Sequence, residues 1–131
     1  MPTASYEKFQ PAIELMLEGG NLGTETYALK LATARNLTAG TITETTNGGG
    51  YTTGGVAVSV ASAAQSGGTY TLTMTQPTNP IWTATTGFTF QYVILVGSVS
   101  GPIASWDYGS SQSVAASETV SVTLTTVLTV A

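Results

Sequence analysis

Two hydrophobic periods divide the chain. In the first twenty residues Phe9, Ile13, Met16 and Leu17 recur at helical spacing, with Glu7, Glu14 and Glu18 on other positions. Thr3 or Ser5 can cap the start, and Gly19-Gly20-Asn21 can stop the helix, since glycine favours the left-handed C-cap. Pro11 fits only a first helical turn, so the helix either begins near Gln10 or is kinked there. The pattern predicts a helical segment over residues 1–20. It either lays its apolar face on a sheet or serves as an arm that docks on a neighbour.

From Thr24 onward the period is two. Tyr27, Leu29 and Leu31 alternate with Ala28 and Lys30, and Thr41–Glu44 is rich in β-branched residues. Val56, Val58 and Val60 read as one strand, Ser66-Gly67-Gly68 as a turn, and Thr69–Thr75 as the second strand of a hairpin. Pro77, Asn79 and Pro80 break the pattern. Phe88–Tyr92 alternates and then runs into the continuous Val93-Ile94-Leu95-Val96, which predicts a strand covered on both faces over that stretch. Ile103–Tyr108 reads as a short strand closed by Gly109. Thr119–Val130 reads as the last and longest strand, with Val127 the one apolar residue on its odd face.

Six to eight short strands with regular turns imply a mainly β chain of one domain, residues 1–131. The expected fold is an antiparallel sandwich or jelly-roll-like fold, with a helical segment (1–20) covering a face or edge of a β-rich body (21–131). The strand order is left open.

Composition narrows the function. After Arg35 there is no Lys, Arg or His, and the only charges are Glu44, Asp107 and Glu118. In their place stand hydroxyl rows: Thr69, Thr71, Thr73 and Thr75, then Thr119, Ser121, Thr123 and Thr125. The net charge is −4, and Lys8, Lys30 and Arg35 are scattered without forming a patch, which argues against nucleic acid and anionic membranes as partners. No signal peptide or spanning stretch is expected, since the longest apolar run is Tyr92–Val96. A soluble protein made in the cytoplasm follows as the expectation. Charged residues make up 8 % of the chain against about 25 % in ordinary domains, which suits a protein that lives inside an assembly.

Chemistry is sparse. Without His or Cys there is neither a Ser-His triad nor an imidazole or thiolate metal site. The Gly48–Gly55 segment lacks the Gly-Lys-Ser/Thr ending of a phosphate loop and precedes a strand rather than a helix, so it reads as a long turn or hairpin loop. Asp107 and Glu118 flank the Gly109–Ser113 loop, and nothing in the sequence brings them together as an acid–base pair. No calcium loop is present, and no cofactor is expected. Regular threonine spacing also suggests ice binding, but no repeat supports it. The candidate ligand or partner contacts are Trp82, Trp106, Asp107 and Tyr108, an aromatic platform beside an acid of the kind that holds sugar rings. The favoured reading of the same aromatics is as core plugs of a small sandwich.

Several segments carry a resemblance. They are Tyr6-Glu7-Lys8-Phe9, Asn21-Leu22-Gly23-Thr24 leading into Tyr27–Leu31, Gly50-Tyr51-Thr52-Thr53-Gly54-Gly55-Val56, Trp82, Tyr92–Leu95 and Trp106-Asp107-Tyr108-Gly109-Ser110-Ser111. Together they span nearly the whole chain, which resembles small β-rich virion proteins of tailed bacteriophages, capsid decoration (cement) proteins among them. Pro11 departs from the continuous helix such proteins keep. The resemblance implies no catalytic residues and no enzyme. It implies a homotrimer on the outside of an icosahedral head, bridging major capsid proteins and assembled in the bacterial host cytoplasm. Two alternatives stand beside it: another virion part (tail, head–tail junction or fibre), or a carbohydrate-binding module using Trp82, Trp106 and Tyr108.

Overall fold

A computed structural model describes residues 4–11, 22–124 and 126–130. The chain is mainly β, and its sheets are antiparallel. The strands are β1 (Ser5–Lys8), β2 (Tyr27–Asn36), β3 (Thr41–Glu44), β4 (Val56–Val58), β5 (Val60–Ser66), β6 (Thr69–Met74), β7 (Trp82–Thr83), β8 (Gly87–Gly97), β9 (Gly101–Ala115), β10 (Thr119–Val120) and β11 (Thr126–Val130). A six-stranded sheet runs β1-β9-β8-β2-β3, with β4 pairing the other half of the same β2 edge. A three-stranded sheet runs β11-β6-β5, and β10 pairs β7.

The period-two reading explains where the core lies. Leu29, Leu31, Phe90, Val93, Leu95 and Ile103 on one face of the large sheet share a buried cluster with Leu72, Met74, Val127 and Leu128 of the small sheet. Each such side chain contributes about 1.5–3 kcal/mol by leaving water. The opposite face of the large sheet holds a second cluster, in which Phe9, Ala32 and Ile94 are fully buried. Val93, Ile94 and Leu95 are therefore covered from both sides, as their continuous apolar run requires. The turn at Gly67-Gly68 agrees with the sequence, but the strand that β6 pairs across it is Val60–Ser66 rather than the expected Val56–Val60.

Four expectations need correction. Ser5–Lys8 is an edge strand on β9, with Tyr6 opposite Trp106 and Glu7 opposite Ser105, so the predicted helix does not include it and Ser5 caps nothing. Gln10 and Pro11 have helical backbone, and the rest of that prediction (Ile13, Met16, Leu17 and the Gly19-Gly20-Asn21 stop) lies outside the described residues, as does the Thr3 cap. Val56–Val60 is not one strand: it changes sheets at Ser59, β4 joining β2 and β5 joining β6.

Gly109 does not end β9. The strand continues to Ala115, because the pairing with β8 slips between Tyr92↔Asp107 and Phe90↔Gln112 and Gly109 absorbs the irregularity at φ 82°. Thr119–Val130 is likewise split. β10 pairs Trp82-Thr83, and β11 pairs β6. Between them Val122 and Leu124 bond to the side chains of Asn79 and Gln76 instead of to a strand. A bulge between Thr126 and Leu128 puts Val127 and Leu128 both inside, which accounts for the odd-face valine.

Candidate functional site

The four candidate contact residues do not share a surface. Trp82, on β7, is buried in the main core with its ring 6.1 Å from that of Tyr51. Trp106 and Tyr108 lie on the core-facing side of β9 and are half-buried. Tyr6 leans on Trp106 at 5.8 Å, its hydroxyl donating to the Val127 carbonyl, and Tyr108 meets Phe90 edge-on at 5.3 Å. Burial pushes the Tyr6 and Tyr108 hydroxyls above the ordinary tyrosine pKa.

Asp107 points to the other face of the sheet, by strand alternation. There it joins a cluster around Arg35, whose side chain is 8 % exposed. Arg35 donates to Glu7 at 2.8 Å and to Ser105 Oγ, lies 3.5 Å from Asp107, and sits 4.7 Å above the Tyr92 ring. Burial acts to raise the Asp107 pKa. The Gly109 amide at 2.7 Å, the Gln91 amide at 3.1 Å and the Arg35 charge outweigh it and hold the carboxyl below its usual value. These contacts tie β1, β2, β8 and β9 together through one buried guanidinium, while the Glu7 carboxylate stays partly open to solvent.

Glu118 accepts from the Ala115 amide at 2.7 Å and stabilises a turn. Glu44 is also internal. It accepts from Tyr51 at 2.6 Å and the Gly54 amide at 2.7 Å, with Lys30 at 3.7 Å. Among the described residues no group of three or more acidic or metal-binding side chains could hold a metal, and no helix is long and apolar enough to cross a membrane.

The glycine loop is a packed element. Gly48 and Tyr51 exchange backbone bonds, and the Gly49 carbonyl accepts from the Thr85 and Gly87 amides. A Cβ on Gly49 would fall 1.8 Å from the Gly87 carbonyl oxygen, so the close approach excludes any larger residue. Beside the loop runs an open groove of about 520 Å³ lined by Thr33, Thr45, Asn47, Phe88, Thr89 and Ser113, without a charged group. Its polar side chains are partly engaged, Thr45 donating to the Thr89 carbonyl at 3.1 Å.

The feature that stands apart is the outer face of the small sheet. Register aligns Thr73 with Thr126 and Ser62, Thr71 with Thr129 and Ala64, and Thr69 with Ser66. Their neighbours Leu72, Met74 and Leu128 point inward and are buried, so these residues form one outward layer of hydroxyls and methyls. The Thr73 and Thr126 hydroxyls lie 3.4 Å apart. The sequence identified the Thr69–Thr75 row, but Thr126 and Thr129 belong beside it only because β11 pairs β6. The second predicted row, Thr119 to Thr125, is exposed at Thr119, Ser121 and Thr123 but joins no continuous sheet, and Thr125 lies outside the described residues.

Comparison with family models, with curated proteins and with solved structures finds no match for this chain.

Proposed function

We propose that this protein is a virion structural component: a capsid decoration protein that binds the outside of a tailed-phage head and ties major capsid subunits together. The observation that carries this reading is the uncharged hydroxyl-and-methyl face of the β11-β6-β5 sheet. A free-standing domain keeps both signs of charge over its surface, whereas a face that stays covered needs none. The residue resemblance supplies the head location and the trimeric form. The internal use of Glu7, Glu44, Asp107 and Glu118 supports a structural rather than an enzymatic role. In architecture, the shared cluster between the large and small sheets supports an antiparallel sandwich.

A decoration protein favours the expanded shell by mass action, adding stability only where its site exists. Such a contact needs roughly 1,000 Å² or more of buried surface. The test adds purified protein to expanded heads that lack it. Saturable binding and greater resistance of the heads to heat are expected, both weakened by Thr71→Lys. Co-purification with tails, or no binding to heads, sinks the reading and favours another virion part. The carbohydrate-binding alternative draws little support, because Trp82 is buried and Tyr6 covers part of Trp106.

A further inference from the structure

Among the described residues β5 bonds to β6 on one side and to no strand on the other, so its outer edge presents backbone that no described strand pairs, and Ala61–Ser66 are exposed on both faces of the strand. Natural edge strands are normally blocked by lysine, proline or an inward-pointing charge. β5 reads Val-Ala-Ser-Ala-Ala-Gln-Ser and has none of these. Its one protective device is the bulge between Val60 and Ser62, at the start of the strand. Residues 45–106 carry no charge at all, so neither β5 nor its partner strand β6 brings a charge to this edge.

We propose that β5 pairs antiparallel with β5 of a second copy of this chain, about a two-fold axis near Ala63, joining two three-stranded sheets into one of six. Two observations favour a second copy over a foreign peptide, and a third favours pairing of β5 with itself. Recognition of a foreign strand draws its specificity from side-chain pockets along the edge, and alanine and serine build none. A strand paired antiparallel with itself is self-complementary, and axis placement at Ala63 sets Ser62 opposite Ala64, keeping outward residues on one face. The opposite edge of the same sheet is not equivalent: at Val127 the β11 carbonyl already accepts from Tyr6, which disfavours head-to-tail β5–β11 pairing.

The pair buries only small side chains beyond the backbone bonds, so reversible association is expected rather than an obligate dimer. It joins copies two by two. A trimer formed through another surface would be linked to its neighbour by this edge.

The chain contains no cysteine, so Ala63→Cys supplies a single thiol. Across an antiparallel pair the two Cα atoms lie within the ~4.4–6.8 Å that a disulfide spans. Mild oxidation of the full native chain should give a covalent dimer of twice 13.4 kDa, and Thr53→Cys, on the glycine loop, should give none. Sedimentation of the unmodified chain should show mass rising with concentration, and Ala63→Lys should remove that rise, since like charges meet across the axis. The proposal is overturned if the Ala63→Cys thiol reacts freely with a small reagent yet forms no dimer above the Thr53→Cys level. It is equally overturned if folded Ala63→Lys associates as the native chain does. Both readouts use the isolated chain, so they stand apart from binding to heads.

Discussion

The Arg35 guanidinium donates to the Glu7 carboxylate at 2.8 Å, reaching from β2 across β8 and β9 to the edge strand β1. One side chain thus fastens the first strand to the middle of the sheet. Arg35→Ala removes the cation and leaves Glu7 and Asp107 facing each other without it. Breaking a fully buried pair costs about 3–5 kcal/mol. Glu7 is 44 % exposed and can rehydrate, so about 1–3 kcal/mol is expected here. Urea denaturation reads the loss. Arg35→Lys should recover only part of it, because an ammonium cannot reach Glu7, Ser105 and the Tyr92 ring together.

A second internal contact joins Tyr51 to Glu44. The Tyr51 hydroxyl donates to Glu44 and accepts from the Leu31 amide at 3.2 Å, and the side chain is 1 % exposed. Burial first, and then the Glu44 carboxylate, push its pKa far above the ordinary tyrosine value. Tyr51→Phe keeps the ring and removes one hydrogen bond from Glu44 and one from the Leu31 amide, at about 1.5–3 kcal/mol for a bond to a charged group. Thermal unfolding should show the drop, and a Tm unchanged from the native chain would refute it.

Acid should act through Asp107. Its pKa is lowered in the folded state, so the unfolded chain takes up a proton first as pH falls. The stabilisation is therefore complete above the ordinary aspartate value of about 3.9 and is lost as pH drops through the lowered one. The stability difference between the native chain and Asp107→Asn should stay constant between pH 5 and pH 7 (about the neutral plateau) and shrink below about pH 4. A difference that is flat down to strong acid would count against this assignment.

Gly54 and Gly55 separate two costs of a side chain. Both have positive φ, but a Cβ at Gly54 meets nothing within 4 Å, whereas at Gly55 it would lie 1.9 Å from the Leu29 carbonyl oxygen. Gly54→Ala should cost about 1–2 kcal/mol from backbone strain alone. Gly55→Ala should cost a further ~1–3 kcal/mol, because β2 or the loop must move. Chemical denaturation of the two variants gives the comparison directly.

The residues most readable from sequence were those whose position follows from alternation. Leu29, Leu31, Leu72 and Met74 are inside and Thr71 and Thr73 face outward because successive side chains on a strand point to opposite faces. Asp107 was legible as a polar residue beside Trp106, but its cation, Arg35, lies 72 positions away and carries no local mark in the sequence. Trp106 and Tyr108 were legible as sharing a face, while the Tyr6 that covers Trp106 sat in a segment read as helix.

Local pattern by itself determined that the chain is β-rich, which residues alternate in and out, and that its hydroxyl rows carry no charge. These follow from the fixed period of a strand and from composition. Tertiary structure decided which sheet each strand joins, where Val56–Val60 and Thr119–Val130 divide, and that Ser5–Lys8 is a strand. For that last segment the helical spacing was a weak preference. Pairing with β9, the Tyr6 bond to Val127 and the Arg35 clamp on Glu7 are contacts made across the chain, and together they outweigh it.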